Sequence, residues 1–144
     1  MLNHQLVARI SLSFLCPLQG LATLVIDLNR THATNPAWTG HARFHVVWQS
    51  TSIALLSVLE LALNWWQGPY QKDGFYLALL LTAISPLGFM IAFVSRRMFG
   101  GALSDPNGIR PVRLTLFGAP RSIDLNFAAI VAALLSLGVI LAIY

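Results

Sequence analysis

Residues 27–49, DLNRTHATNPAWTGHARFHVVWQ, are the stretch whose reading decides the fold. They carry three of the four histidines and one of the five carboxylates, with long apolar runs on both sides. Asn35-Pro36 marks a turn, because the residue before a proline is pushed out of the helical region. Thr39 or Gly40 can cap a helix that starts immediately afterwards. The segment 28–40 is therefore read as a short polar loop joining two apolar helices.

The rest of the chain extends that pattern. With 144 residues, 56% hydrophobic and 10% charged, and a mean hydropathy of +0.68, it is too apolar for a soluble domain, whose charged fraction is about 25%. A membrane helix needs ~20 mostly apolar residues to cross the hydrocarbon layer. The expectation is an all-α integral membrane four-helix bundle, a single transmembrane domain over 1–144, with spans at 5–27, 41–66, 75–95 and 122–144. The net charge of +4 comes from scattered basic residues at the ends of apolar runs. That is the pattern of membrane-flanking charge and argues against a nucleic-acid partner. Cys16 is the only cysteine, so neither an internal disulfide nor a thiolate metal cage can form. Residues 1–27 lack a basic leader and an A-x-A site, and Arg9, Pro17 and Gln19 interrupt the apolar run, so they read as a retained helix and not as a signal peptide.

The remaining connections are a tight break at 67–74, QGPYQKDG, and a long loop at 98–121 that contains FGGALSDPNG. In the long loop Val112, Leu114 and Leu116 alternate with Arg113 and Thr115, the pattern of an extended segment with one face against the bundle. Ser122 is the expected N-cap of the fourth span, with Asp124 in its first turn. Arg30, Arg43, Arg96, Arg97, Arg110, Arg113 and Arg121 fall on or beside the first and third connections, and Arg9 and Lys72 on the other side. The positive-inside rule then puts those two connections in the cytoplasm and both termini on the non-cytoplasmic side.

The chemistry-bearing residues gather at the start of the second span. His41, His45, Gln49, Ser52 and Glu60 lie within a sector of about 100° at helical spacing. Polar groups in hydrocarbon are costly, so this stripe is expected to face other helices or a wet cavity. If the first two spans are antiparallel neighbours, Asp27 is level with His41 and His45, where a carboxylate would fix the imidazole tautomer and raise its basicity. By the same rise Arg9 is level with Glu60 and would neutralise it. The candidate catalytic residues are His41, His45 and Asp27. Gln49, Ser52, Glu60, Trp48 and Asn29 are candidate ligand contacts, although Asn29, His32, Asn35 and Trp38 also suit simple loop organisation. Trp48 likewise suits interfacial packing. Arg43 points to the opposite side of the helix, towards headgroups. His41 and His45, four residues apart, can share a divalent metal with His32, Asp27 or Asp105 as further ligand. Asp105 and Asn107 also read as an ordinary turn.

The run NPAWTGHARFHVVWQ resembles a small uncharacterised family of four-span membrane proteins, across nearly the whole chain. More distantly, the layout is similar to the emopamil-binding (EXPERA) superfamily of sterol isomerases and sterol-binding receptors. The shared features are four spans, Asp27-Leu28 closing the first, Pro36-Ala37-Trp38 in the loop and polar residues on the second. That similarity implies a lipophilic ligand within the bundle and acids and bases that move a double bond. The first loop is shorter than in that superfamily, and Glu60 is the only glutamate.

The leading expectation is thus a small membrane protein that binds, and by isomerase- or cyclase-like acid-base chemistry transforms, a hydrophobic metabolite at a cytoplasm-facing pocket. Membrane lipid, the small molecule and a second copy or partner subunit are its expected partners. A non-catalytic assembly subunit and a histidine-based metal protein are the competing readings. Transport is disfavoured, since paired repeats with broken helices are not evident.

Overall fold

In the computed structural model, which describes residues 3–104, 108–116 and 118–144, four long helices run up and down. They are α1 (His4–Asp27), α2 (Gly40–Asn64), α3 (Gln71–Ser95) and α4 (Leu125–Ile143). All four are long and apolar enough to cross a membrane. The protein is an all-α, multi-pass membrane bundle.

Local chemistry sets the helix starts. Asn3, Thr39 and Asp124 each accept a backbone N–H of the first turn, from Gln5, Ala42 and Phe127 respectively, and so satisfy donors the helix itself leaves open. Pro17 and Pro86 both lie inside continuous helix.

Two boundaries differ from the sequence expectation. The third helix begins at Gln71, inside the expected break. The fourth begins at Leu125, because the residues before it form a strand: β1 (Val112–Leu116) pairs antiparallel with β2 (Ala119–Ile123), with Val112 opposite Ile123 and Leu114 opposite Arg121. Ser122 therefore sits in a hairpin facing Arg113, and Asp124 is the cap. Val112 and Leu114 are exposed, so the alternation marked a strand but not a face packed on the bundle. Asp105 and Asn107 lie outside the described residues.

The helices form a ring in chain order, with α4 closing back onto α1. Its core is built from Ala8, Leu12 and Cys16 of α1, Phe75, Ala78 and Leu79 of α3, and Leu137 and Ile140 of α4. At the end that holds the termini, Tyr144 stacks on Phe75 with ring centroids 3.6 Å apart. α1 and α2 approach closely at Gly20. A Cβ there would run into the Ser57 hydroxyl and come within 3.3 Å of the Ala54 backbone. Small residues at such a crossing let membrane helices gain dispersion contact where no hydrophobic driving force exists between them.

Candidate functional site: two faces of α2

The buried face of α2 carries Ser50, Ser57, Glu60 and Asn64. These spacings of seven, three and four residues trace one stripe along a helix. It is a polar stripe, yet it forms the seam with α1 and α3: Ser50 and Ser57 donate to carbonyls of α2 itself, and Glu60 and Asn64 reach the neighbouring helices. The Asn64 amide donates to the Arg9 carbonyl and to Ser13 Oγ, both at 2.9 Å. Arg9, only 6% exposed, donates in return to the Asn64 carbonyl, and its other terminal nitrogen donates to the Gln71 carbonyl and the Tyr144 hydroxyl, both at 3.0 Å. Its guanidinium also lies 5.6 Å from the Phe75 ring centre and 5.5 Å from that of Tyr144, a favourable placement over aromatic faces.

The expected Arg9–Glu60 pair does not form. Arg9 is level with Asn64, one turn beyond Glu60, and solves its burial with carbonyls and aromatic rings. Glu60, 3% exposed, meets the Thr82 hydroxyl and the Cys16 thiol, which are themselves 3.3 Å apart. Three helices thus contribute one polar group each to a cluster deep in the bundle, with the hydrogen bond between Cys16 and Thr82 at its centre. Nearby on the same seam, Gln19 Oε1 and Asn64 Oδ1 are buried without a hydrogen-bond partner among the described residues.

The outer face of α2 carries the rest of the stripe. His41, His45 and Gln49 are exposed, and Ser52 is half-buried. The expectation that this stripe turns inward is corrected for all but Glu60. The reason is the rotation of α2: its crossing with α1 at Gly20 and Ser57 turns residues 50, 57, 60 and 64 inward, which leaves the imidazoles and Gln49, about a third of a turn away, outside. The two histidines are nonetheless together. Their Nε2 atoms are 3.0 Å apart, and their rings are 4.4 Å apart and cross at 83°.

One turn along, the His45 ring lies 5.7 Å from Trp48 and 6.1 Å from Phe44. Phe44, Val47, Trp48 and Thr51 line an open groove of about 400 Å³, and Phe44 and Trp48 are 64% and 59% exposed. A second groove of about 240 Å³, between α3 and α4, is lined by aliphatic residues and Tyr76.

Asp27 closes α1, half-buried, and the histidine near enough to interact with it is His32. The α1–α2 register explains this. Contacts between Arg9 and Asn64, and between Gly20 and Ser57, bring Asp27 opposite residues 46–50, a turn past His41. His32 is tied to the Thr31 hydroxyl at 2.7 Å and meets Trp38 edge-on at 5.3 Å. Asn29 Oδ1 accepts from the backbone N–H and hydroxyl of Thr31 at 2.8 and 2.6 Å, and Asn35 Oδ1 accepts from Ala37 N–H at 3.0 Å. The loop therefore organises itself, and no three His, Cys, Asp or Glu converge to hold a metal among the described residues. The trio His32, His41 and His45 is not assembled.

Sequence reasoning missed the Cys16–Glu60–Thr82 cluster. Its one visible signal was a lone cysteine and a lone glutamate, each within an apolar span. No family profile, curated protein or solved structure matches the chain, so the site is read from its own residues.

Proposed function

We propose that this protein binds a hydrophobic metabolite in the bilayer-open groove on α2, with its polar head against the His41–His45 pair, and moves a proton on it. The observation that carries this reading is the position of the groove, which begins one turn from the paired imidazoles. Its volume, about 400 Å³, falls among those of small-molecule sites, which run from roughly 300 to 1,000 Å³. Phe44, Val47 and Trp48 offer apolar and aromatic surface to a hydrocarbon body. At the rim, two neutral imidazoles 3.0 Å apart supply one N–H donor and one acceptor, the combination a proton shift within a substrate requires. Gln49 is exposed one turn beyond His45 on the histidine side of the helix, outside the lining of the groove, where its amide is placed for the head group and not for the hydrocarbon body. Asp27, with His32, adds charge on the same side of the membrane. The basic residues flanking the first and third connections support a cytoplasmic side for this site under the positive-inside rule.

Native mass spectrometry of the detergent-purified protein tests this. A co-purified lipophilic molecule is expected in the wild type, depleted in Trp48→Ala and retained in His45→Ala, and because a proton shift leaves the mass unchanged, nuclear magnetic resonance of the extracted molecule should show the unshifted bond pattern in His45→Ala. An equal load of the molecule in wild type and Trp48→Ala would overturn the assignment of the groove. The open side of the groove also suits a partner helix, as in an assembly subunit. A stoichiometric polypeptide in place of the small molecule would favour that reading.

A further inference from the structure

We propose that His41 and His45 chelate one divalent transition-metal ion at the rim of α2, with water completing its shell. Ligating imidazole nitrogens lie about 2.0–2.1 Å from zinc. Two such nitrogens on one ion, subtending about 90–110°, are therefore roughly 2.9–3.4 Å apart. The Nε2 atoms of His41 and His45 stand 3.0 Å apart, already at that spacing. They reach it from the same face of one helix, where residues four apart are neighbours. The backbone therefore brings the two donor atoms to chelate spacing, and the ion would take the place of the N–H···N hydrogen bond between them.

The donor set fixes the class of ion. Two imidazoles suit zinc, copper or nickel, while magnesium and calcium take oxygen ligands. Among the described residues no third protein ligand is at hand. His32 is held by Thr31 and Trp38, and His4 lies at the opposite end of the bundle, where its Nδ1 meets the Ile143 carbonyl at 3.0 Å. Among the described residues no larger cluster of ligating side chains exists. Both imidazoles are exposed, so the ion keeps open positions and exchanges with solvent. Such a site differs from a closed structural one, which fills its shell with protein ligands. An ion held by both Nε2 atoms leaves the pair no free acceptor, so the chelate and the proton shift are alternative uses of the two imidazoles, and this inference rests on the spacing of the nitrogens and not on the groove.

The experiment is a titration of the full-length, chelator-stripped protein in detergent with Cu²⁺, followed by calorimetry and by the nitrogen hyperfine pattern in electron paramagnetic resonance. One ion per chain with two nitrogen ligands is expected. His41→Gln and His45→Gln should each weaken binding by at least about tenfold, the minimum seen when even an outer partner of a ligand is lost. His32→Gln should leave it unchanged. Unaltered thermal unfolding of the exposed-site variants would show that they still fold. The proposal is overturned if His41→Gln/His45→Gln binds as the wild type does, if His32→Gln loses the ion, or if one ion is shared by two chains through four nitrogens.

Discussion

The two faces of α2 carry similar amounts of polar chemistry and meet opposite fates. On one face Ser50, Ser57, Glu60 and Asn64 are buried, and the last two are tied into neighbouring helices. On the other, His41, His45 and Gln49 stand exposed above an aromatic groove. In water a polar stripe marks the outside of a helix. In a membrane bundle the apolar solvent removes that rule, and the inside is wherever short side chains allow close approach and a partner can be reached. The inner face therefore holds the fold together, and the outer face is left free for chemistry. This division makes distinct predictions for substitutions on each side.

The largest effect is expected at the end of the inner seam. Arg9→Ala removes the hydrogen bonds to Asn64, Gln71 and Tyr144 and strands buried acceptors. Hydrogen bonds from charged groups contribute about 1.5–3 kcal/mol each, so a loss of ~3 kcal/mol or more is expected in denaturant unfolding from mixed micelles. Arg9→Lys, which keeps the charge but lacks the planar fork, should recover only part of it. A neutral result for Arg9→Ala would mean that the seam is not what joins α1, α2 and α3. Next comes Gly20→Val, which forces a side chain into Ser57 and the Ala54 backbone. Overpacking of this kind costs typically 1–3 kcal/mol. Pairing it with Ser57→Gly should restore part of the loss, since that change removes the nearest clash, and a strictly additive double variant would argue against direct contact.

Thr82→Val tests the middle of the seam. The threonine hydroxyl donates to the Ala78 carbonyl at 2.8 Å and meets both Cys16 and Glu60. Valine keeps the shape and removes the hydroxyl, leaving a buried acid with one partner fewer, and a cost of about 1–3 kcal/mol follows from stranding a buried polar group. Thr82→Ser, which retains the hydroxyl, should cost less. Equal losses in the two variants would assign the effect to packing and not to hydrogen bonding.

The spans were legible because each is a long apolar run bounded by polar, proline- or glycine-containing breaks, and hydrocarbon thickness fixes how long such a run must be. The rotation of α2 was not. Its wheel carries polar residues on both sides, and lipid is as apolar as a protein core, so hydropathy cannot say which side is buried. The partner of Arg9 was hidden for a different reason. A displacement of one turn, about 6 Å, separates Glu60 from Asn64, and the acceptors Arg9 uses include backbone carbonyls, which every residue has. In the long loop, the alternation at 112–116 did announce a strand. Its partner at 119–123 was taken for the start of α4, since Ser122 and Asp124 are both good caps and only the pairing of Ser122 with Arg113 decides between them.

On the outer face the expected effect on folding is close to zero, and that near-absence is the sharpest test of the division. Gln49 is exposed on α2 and makes no contact within the seam. Substitutions at such positions usually change stability by less than about 0.5 kcal/mol, so Gln49→Ala should unfold as the wild type does. Its consequence should fall on the head group held beside the histidines, where losing an amide weakens retention of a polar-headed molecule more than retention of a plain hydrocarbon. Measuring both in one preparation separates the faces. A change in unfolding with unchanged binding would place Gln49 inside the bundle and reverse the rotation of α2, whereas unchanged unfolding with altered head-group selectivity is the result that a face free for chemistry requires.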